Sequence, residues 1–442
     1  MTDPYPVTPF QFPVSSEITL PGSKSITNRA LIIAALADGH TRLENCLFSE
    51  DTEIMVEALK ALGFKIQANP TEKSIEVEGL GGRIPNKSAT IHVGNSGTSA
   101  RFLTAFCCLT SDGEYTLDGV EQMRKRPIKD LVDTLVHLGA EIETNNGFFP
   151  ITIRPHGLNG GHATIDAMSS SQFVSALIMA APYAKSELTI ELTNPKLRRS
   201  YIDMTLEMLV QFGIDRAQLT SDASTYTIRP QGSYKGKPGG YLIEGDASAA
   251  SYFFALPLAV GGQIEIHGVT KDSLQGDTEF TTQVEKAGAT IEWKERSAIC
   301  RYDGSAPKAL NASFYAFSDT FLTAAALAPL LDGTTTIDGI SHTRHQECDR
   351  IAAMADGLNR IGQNVDEQEG SLTITPQALT PAEIETYHDH RVAMSFGILA
   401  CVDANKDGQA WLKIKDPTCC KKTFPNFFQE LERIRQESQA KA

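Results

Sequence analysis

The sequence lacks the long apolar runs of a membrane protein. Its apolar stretches, such as Ala30–Ala37 and Phe321–Leu331, are short and bounded by polar loops, whereas a membrane-spanning helix needs roughly eighteen or more consecutive apolar residues. The first residues, Met-Thr-Asp-Pro, contain no basic segment that leads into an apolar one, so no signal peptide is expected. We therefore expect a soluble, cytoplasmic protein.

Metal-binding cysteine patterns and an excess of positive charge are also missing. The eight cysteines form no Cys-x-x-Cys pair and no His/Cys cluster with zinc spacing, which favours reduced, mostly buried thiols. The net charge of −14 argues against a nucleic-acid or anionic-membrane partner. This charge does not exclude small anionic substrates, because a pocket can be positive on a negatively charged protein.

What the chain does contain is a repeat. Its 442 residues have ordinary globular composition and are long enough for two or three domains. Glycines that follow a helix-like apolar pattern lie at spacings of 76, 74, 75 and 74 residues. Glycine just past a helix is the usual left-handed C-terminal cap, and an alternating strand pattern follows. A sixth helix is predicted over 427–434. The glycines are Gly63, Gly139, Gly213, Gly288 and Gly362.

A second repeated element is a short loop of Gly, Ser, Thr or Asp residues that opens an Ala-rich helix. Such residues suit helix N-caps, and a helix N-terminus attracts anions through its free N–H groups and macrodipole. One such loop would be an ordinary cap. Six at one period, several with Lys or Arg, indicate helix N-termini that converge on a shared anionic ligand. The loops begin at Gly22, Gly94, Ser169, Gly245, Ser318 and His388.

The two repeats together predict a two-domain α/β protein with three strand–helix units in each half. The stretch Ser233–Gly240, rich in glycine, is predicted to link the halves. A ligand site between the domains is expected, because such pockets are common and domain closure there excludes water.

The same loops resemble the motifs of the 5-enolpyruvylshikimate-3-phosphate synthase family, which belongs to the enolpyruvyl transferases. The resemblance runs in the family's order from about residue 16 to residue 434. It implies the two-lobed enolpyruvyl-transferase fold, an α/β fold of six strand–helix repeat units, three per lobe, with helix N-termini facing the inter-lobe cleft. It places the first lobe at 22–244 and the second at 1–21 plus 245–442. The motifs are Leu20-Pro-Gly-Ser-Lys-Ser, Gly94-Asn-Ser-Gly-Thr-Ser-Ala-Arg, Arg124-Lys-Arg-Pro, Ser170-Ser-Gln-Phe, Gly245-Asp-Ala-Ser, Leu274-Gln-Gly-Asp, Asp389-His-Arg and Lys422-Thr-Phe-Pro.

The resemblance implies an enzyme of chorismate and aromatic amino acid biosynthesis. Such an enzyme transfers the enolpyruvyl group of phosphoenolpyruvate to the 5-hydroxyl of shikimate 3-phosphate and releases phosphate. No metal and no organic cofactor are expected, because phosphate is already a good leaving group. We expect a monomer whose partners are these two substrates, without nucleic acid or membrane.

Both substrates carry a phosphate and a carboxylate, so their site needs fixed cations and helix N-termini. The resemblance assigns Asp319 as the base for the 5-hydroxyl and Glu347 as the acid for the methylene carbon. Gly97 is expected to approach the ligand through its backbone, where a methyl group would intrude. Shikimate 3-phosphate is assigned to Lys24, Ser25, Arg29, Ser170, Ser171, Gln172, Arg198, Tyr201, Asp319, His342 and Gln346. Phosphoenolpyruvate is assigned to Lys24, Gly97, Arg126, Gln172, Arg350, Arg391 and Lys422.

Three positions depart from the commonest family pattern. Gln346 stands where lysine is usual, and an amide cannot protonate carbon or offset charge. His342 stands where asparagine is usual, and Arg198 displaces a serine. Because of Gln346, we hypothesise that Glu347 and Lys24 share the proton donation.

Two alternatives stay open at this point. The first is enolpyruvyl transfer to another acceptor, a UDP-sugar or a shikimate-like metabolite. The UDP-sugar relatives carry a reactive cysteine shortly before the Arg-Pro that corresponds to Arg126-Pro127, and residues 118–125 contain none. The second is a binding homologue that no longer turns over. Only Gln346 favours it, and the presence of Asp319, Glu347 and the full cationic set argues against it.

Overall fold

The computed structural model describes residues 2–167, 170–194, 199–230, 232–304 and 306–442. The chain folds as two compact units: a central unit, Gly22–Ile243, and a terminal unit that combines Met1–Pro21 with Glu244–Ala442. The predicted first lobe, 22–244, assigns residue 244 to the central unit, which ends at Ile243 in the structure. Glu244 lies in the terminal unit because its carboxylate accepts hydrogen bonds from Ser273 Oγ (2.5 Å) and the Leu274 N–H (3.2 Å).

In its described residues, the central unit contains three four-stranded sheets of one topology. In each sheet the first two strands pair in parallel and the other pairs are antiparallel. In sheet order the strands are Tyr241–Leu242, Asp38–Glu44, Ser74–Leu80 and Ile66–Asn69; Ser88–His92, Glu114–Asp118, Phe148–Arg154 and Glu141–Asn145; and Gly161–Ile165, Leu188–Leu192, Thr225–Ile228 and Leu219–Ser221.

Three helices of the central unit form its core. The helices α1 (Lys24–Leu36), α3 (Gly97–Cys107) and α6 (Gln172–Ala180) are buried on nearly all sides, as expected for helices that are apolar or small-residue all round. The outer helices α2 (Glu50–Ala61), α5 (Lys129–His137) and α7 (Ser200–Gln211) are amphipathic and bury one face each. The bounds are α1 Lys24–Leu36, α2 Glu50–Ala61, α3 Gly97–Cys107, α4 Glu121–Arg124, α5 Lys129–His137, α6 Gln172–Ala180 and α7 Ser200–Gln211, with short 3-10 helices at Ala181–Tyr183 and Arg216–Gln218.

The terminal unit repeats this plan. Its first two sheets have the same topology, and the third has three strands, one of them from the N-terminus. The strands are Val14–Thr19, Gly262–His267, Ser297–Tyr302 and Thr290–Trp293; Asn311–Ser313, Thr335–Asp338, Ser371–Thr375 and Asn364–Gln368; and Ala382–Ile384, Leu412–Ile414 and Tyr5–Pro6.

The terminal unit also has a core of three largely buried helices, α8 (Ala247–Val260), α10 (Phe321–Leu327) and α12 (His390–Leu399). Its helices are α8 Ala247–Val260, α9 Phe280–Ala287, α10 Phe321–Leu327, α11 Arg350–Arg360, α12 His390–Leu399 and α13 Phe427–Lys441, with 3-10 helices at Gly276–Glu279, Ser318–Thr320, Ala328–Leu330, Ser341–His345 and Pro417–Lys422.

An exchange of strands explains why the N-terminal residues belong to the terminal unit. The strand Val14–Thr19 precedes α1 but pairs in parallel with Gly262–His267 of the terminal unit. The strand Tyr241–Leu242 precedes α8 but pairs in parallel with Asp38–Glu44 of the central unit. One sheet of the terminal unit therefore takes an edge strand from the segment that leads into α1. One sheet of the central unit takes an edge strand from the segment that leads into α8.

The repeated helix ends lie where the sequence predicts them. All five predicted cap glycines have positive φ, at +95°, +100°, +94°, +117° and +85° along the chain, and each follows a helix of its unit. Within the described residues, the predicted loops lead into α1, α3, α6, α8, the Ser318–Thr320 turn before α10, and α12. Ser169, where the third loop is predicted to begin, lies outside the described residues. The sixth outer helix, α13, begins at Phe427 as predicted and continues to Lys441.

One prediction about the connection between the units is wrong. The segment Ser233–Gly240 is not a free linker but packs on the central unit. Tyr234 is fully buried and donates its hydroxyl to the Met179 carbonyl (2.8 Å), and the Asp38 N–H donates to the Tyr234 carbonyl (2.7 Å). A buried tyrosine with a satisfied hydroxyl holds this glycine-rich segment in place.

Across the described parts of the chain, the structure contains no helix of the length and hydropathy required to span a membrane.

Candidate active site

The first helix of the central unit presents Lys24 at its start. Ser23 caps α1 by accepting a hydrogen bond from the Ile26 N–H at 3.4 Å. Lys24 is the first residue of the helix, and its ammonium lies 3.3 Å from the carboxylate of Asp51, which is 4% exposed. Asp51 therefore holds the charge of Lys24 beside the positive end of the α1 macrodipole.

Arg29 lies one turn further along α1 and is 1% exposed. Its guanidinium donates to the backbone carbonyl of Ser25 (3.0 Å) and to that of Tyr201 (3.3 Å). Burial lowers the pKa of Arg29 to about 10, because a low-dielectric surrounding disfavours the charged form. The structure thus brings Ser25, Arg29 and Tyr201 together, as the sequence predicts for a shared ligand site.

The N-terminus of α3 brings Gly97 against two arginines. A Cβ atom added at Gly97 would lie 2.9 Å from Nη1 of Arg101 and 2.9 Å from Nη2 of Arg126. Arg101 is buried and donates to the carbonyls of Gly97 (3.2 Å) and Pro127 (3.3 Å), so it supports the loop. Arg126 is half-buried beside the glycine. The absent side chain of Gly97 is therefore what lets the Arg126 guanidinium lie against the helix N-terminus.

The N-terminus of α6 carries the predicted Ser-Ser-Gln motif. Ser170 accepts a hydrogen bond from the Gln172 N–H at 3.2 Å, Ser171 is buried, and Gln172 opens the helix half-buried. Tyr201 is the second residue of α7 and half-buried. The predicted ligand Arg198 lies outside the described residues.

The terminal unit gathers a second set of predicted residues around Arg350, which is 2% exposed. Its Nη1 donates to Asp319 (3.0 Å), its Nη2 to Glu347 (2.8 Å), and its Nε to Asp389 (2.7 Å). Burial alone would lower the pKa of Arg350, but the carboxylates of Asp389, Glu347 and Asp319 outweigh it and raise the pKa. One guanidinium therefore holds three carboxylates, two of which are the predicted base and acid.

Two further cations complete this group. Arg391 Nη2 lies 3.0 Å from the second oxygen of Asp319, and Lys422 Nζ lies 3.3 Å from the second oxygen of Glu347. We call these six residues the carboxylate–cation cluster; three carry a formal negative and three a formal positive charge, so the cluster is balanced. Its members are Asp319, Glu347, Asp389, Arg350, Arg391 and Lys422.

Two of the three positions that depart from the family pattern, Gln346 and His342, lie next to this cluster. Gln346 accepts a hydrogen bond from Arg350 Nη1, a role that a lysine cannot fill because an ammonium group has no acceptor. His342 lies with Nε2 2.9 Å from Ser318 Oγ, and its ring meets the edge of Tyr315 at 5.8 Å. The amide at position 346 thus adds a neutral acceptor to the guanidinium where the commoner residue would add a cation.

Asp389 and Asp277 are two residues of the site that the sequence analysis quoted only within motifs. Asp389 is fully buried, pairs with Arg350, and caps α12 by accepting from the Arg391 N–H (2.8 Å). Asp277 is buried and hydrogen-bonded to Ser248. Burial and the neighbouring charge of Asp319 raise the pKa of Asp277 to about 7. The sequence feature that could have identified Asp277 and Asp389 as site residues is their position in the Leu-Gln-Gly-Asp and Asp-His-Arg motifs.

No residues are arranged to hold a metal ion in the parts of the chain that the structure describes, where three or more His, Cys, Asp or Glu side chains nowhere form a suitable group. The fixed cations and helix N-termini described above suit phosphates and carboxylates.

Comparison with known proteins agrees with this chemistry. The family model for EPSP synthase (3-phosphoshikimate 1-carboxyvinyltransferase) matches residues 10–431. A 3-phosphoshikimate 1-carboxyvinyltransferase of Opitutus terrae is 46% identical over 446 residues, covering 100% of this chain and 99% of the relative. One of Vibrio atlanticus is 41% identical over 425 residues, covering 95% and 97%. An EPSP synthase structure from Acinetobacter baumannii matches 98% of both chains with a TM-score of 0.83 at 24% identity, which shows the fold.

The fold and the two groups of buried cations define the class, an α/β enzyme of six repeats built for small, multiply charged anions. The extent of the family match and the identity to the two relatives then decide the family. The chain belongs to the EPSP synthase (3-phosphoshikimate 1-carboxyvinyltransferase) family. The fold and family predicted from the sequence are confirmed.

Proposed function

We propose that this enzyme transfers the enolpyruvyl group of phosphoenolpyruvate to the 5-hydroxyl of shikimate 3-phosphate, with release of phosphate, in the shikimate pathway. The family and the names of its relatives support this reaction. The structural observation that carries it is Arg350, whose guanidinium binds the predicted base Asp319 at 3.0 Å and the predicted acid Glu347 at 2.8 Å.

Asp319 takes the proton of the 5-hydroxyl as the oxygen attacks C2 of phosphoenolpyruvate. Both of its oxygens accept a hydrogen bond from an arginine, and each oxygen of a carboxylate can accept a second bond. Arg350 and Arg391 therefore orient the base without using up its capacity to accept the hydroxyl proton. A carboxylate positioned in this way supplies general-base catalysis.

Glu347, together with Lys24, gives a proton to the methylene carbon, and the methyl carbon returns a proton as phosphate leaves. Before substrate binds, Arg350 and Lys422 both stabilise the Glu347 carboxylate. The phosphate and carboxylate of phosphoenolpyruvate compete for these same donors. Substrate binding therefore loosens the contacts that hold the Glu347 carboxylate in place.

The remaining assignments rest on the resemblance of this chain to its family. Phosphoenolpyruvate is bound by Lys24, Gly97, Arg126, Gln172, Arg350, Arg391 and Lys422. Shikimate 3-phosphate is bound by Lys24, Ser25, Arg29, Ser170, Ser171, Gln172, Arg198, Tyr201, Asp319, His342 and Gln346.

We also propose that the enzyme is a cytoplasmic monomer that binds neither nucleic acid nor membrane. The net charge of −14 supports the absence of polyanionic partners. The eight free cysteines are consistent with a reducing compartment. Sedimentation velocity over a range of concentrations tests the oligomeric state, and a shift to a dimer mass would contradict the proposal.

The reaction is tested by measuring phosphate release from the purified protein with shikimate 3-phosphate and phosphoenolpyruvate, omitting each in turn. Release that requires both substrates is the expected result and shows that Gln346 is tolerated. Phosphate release only with a UDP-sugar or a shikimate-like acceptor would show that shikimate 3-phosphate is not the acceptor. Tight binding of shikimate 3-phosphate without turnover would identify a protein that has lost catalysis. The Gln346→Lys variant then measures how the amide affects the rate.

A further inference from the structure

Arg29 differs from Arg350 in what surrounds its charge. Arg350 binds three carboxylates, whereas among the residues that the structure describes no carboxylate lies within 4.0 Å of the Arg29 guanidinium. All its acceptors are neutral oxygens. A buried guanidinium that is hydrogen-bonded but not neutralised favours the arrival of an anion.

Two buried hydroxyls set the orientation of this guanidinium. Arg29 Nε donates to Thr205 Oγ1 at 2.8 Å, and Nη2 donates to Ser175 Oγ at 3.1 Å. Thr205 Oγ1 lies 3.0 Å from Ser175 Oγ and donates to the Tyr201 carbonyl at 2.7 Å. Ser175 and Thr205 are both fully buried. We call Arg29, Ser175 and Thr205, with the carbonyls of Ser25 and Tyr201, the Arg29 network.

The network joins three helices, each at about one turn from its N-terminal end. Each of its side chains lies four residues after a residue assigned to shikimate 3-phosphate, which is about one helical turn. The Arg29 network therefore lies one turn beneath the N-terminal ends of α1, α6 and α7, the ends that carry the assigned residues. The three pairs are Ser25 and Arg29, Ser171 and Ser175, and Tyr201 and Thr205.

The network also leaves one donor for the substrate. A guanidinium has five N–H groups. In the described parts of the chain, protein oxygens accept from four of them, one on Nε, one on Nη1 and two on Nη2. The fifth is the second N–H of Nη1, and the bonds to Thr205 and Ser175 determine where it points.

We propose that Thr205 and Ser175 are positioning residues for shikimate 3-phosphate, which aim Arg29 at an anionic group of that substrate and align the three helix ends that bind it. This inference rests on the proposed function and names two residues that do not touch substrate. Without the Thr205 hydroxyl, the Arg29 Nε donor is left unsatisfied in a buried site, and the guanidinium turns to find another acceptor.

The test compares Thr205→Val, which removes the hydroxyl at similar shape, with Thr205→Ser, which keeps it. Thr104→Val is the matched control, because Thr104 is also fully buried and donates to the carbonyl of Ala100, four residues earlier, at 2.7 Å. Calorimetry measures binding of shikimate 3-phosphate alone, phosphate release gives kcat and both KM values, and thermal melting gives Tm.

We expect Thr205→Val to raise the Kd and KM for shikimate 3-phosphate about tenfold, with kcat and the KM for phosphoenolpyruvate within about threefold of wild type. Thr205→Ser should restore the Kd to within about twofold. Thr104→Val should bind shikimate 3-phosphate like wild type even if its Tm falls as far as that of Thr205→Val. If Thr205→Val does not fold, Ser175→Ala, which removes a smaller group, should raise the Kd in the same way.

Wild-type affinity in Thr205→Val, or equal weakening in Thr104→Val, would overturn the inference and leave Thr205 a purely structural residue. The proposed function fails by a different result, namely wild-type protein that neither binds shikimate 3-phosphate nor releases phosphate.

Discussion

Replacing Asp389 by asparagine tests whether the buried charge balance around Arg350 stabilises the terminal unit. Asp389 uses one oxygen for Arg350 Nε (2.7 Å) and the other for the Arg391 N–H that it caps (2.8 Å). Asparagine has one acceptor oxygen and one donor nitrogen. It can keep the cap or the arginine bond but not both, and the cluster is left with one excess positive charge.

Removing one partner of a buried ion pair costs about 3–5 kcal/mol. Asp319 and Glu347 still pair with Arg350, so we place the loss at the lower end, near 3 kcal/mol. A destabilisation of 1 kcal/mol lowers Tm by about 2–4 °C in a domain of 150–250 residues. Asp389→Asn should therefore lower the Tm of the terminal unit by about 6–12 °C.

The chain offers a selective probe for this measurement. Its two tryptophans, Trp293 and Trp411, both lie in the terminal unit, so tryptophan fluorescence during heating follows that unit. Asp246→Asn is the matched control. Asp246 is also a buried N-cap, accepting from the Ala249 N–H at 2.9 Å, but it pairs with no arginine among the described residues.

Because asparagine caps helices about as well as aspartate, Asp246→Asn should cost at most about 1 kcal/mol. Equal Tm losses in Asp389→Asn and Asp246→Asn would refute the reasoning, since capping alone would then account for what Asp389 contributes.

Three further perturbations have outcomes that the structure determines. Gly97→Ala places a methyl group 2.9 Å from the Arg126 guanidinium. That flexible side-chain end can move aside, so stability should fall by less than about 1 kcal/mol while the KM for phosphoenolpyruvate rises about tenfold in the phosphate-release assay. Glu347→Gln should lower kcat by about 10²–10⁴-fold with little change in the Kd for shikimate 3-phosphate. Asp277 has a pKa of about 7 in the folded protein and about 3.9 when unfolded. The folded state therefore binds more protons between these values, and stability relative to Asp277→Asn should fall as pH rises from 5 to 7, by up to about 1.4 kcal/mol per pH unit.

Each of these has a result that contradicts it. An unchanged KM for phosphoenolpyruvate in Gly97→Ala would mean that Arg126 does not bind that substrate. Full turnover in Glu347→Gln would remove Glu347 as the proton donor. Urea unfolding followed by tryptophan fluorescence at pH 5, 6 and 7 decides the third, and parallel pH profiles for wild type and Asp277→Asn would show that Asp277 is ionised throughout.

The chemistry of the helix ends was readable from the sequence because it is local. A glycine after an apolar period predicts a positive φ, and Gly63 and Gly288 have φ of +95° and +117°. A small polar residue before an Ala-rich run predicts a cap, and Ser23 and Asp246 cap α1 and α8. Both kinds of helix cap depend on hydrogen bonds within about one turn of the chain, so neighbouring residues in the sequence predict them.

The site could be predicted as a set of residues, through its resemblance to a family, but not as a set of contacts. Nothing in the order of residues says that Arg350 binds Asp389 while Arg391, two residues further on, binds Asp319. The sequence indicates no role in the site for Asp389 or Asp277, because an aspartate before a helix is most often only its cap.

The sequence by itself determined the repeat, the helix ends and the residue types that the site requires. Only the tertiary structure decided which strands are exchanged between the units and that Ser233–Gly240 packs against the central unit. It also decided that neutral oxygens surround Arg29 whereas carboxylates surround Arg350. The physical reason is the separation along the chain of the residues that interact. Caps and turns are settled by neighbours along the chain, whereas the partner of a buried charge is settled by how distant helices pack, as with Arg29 and Thr205.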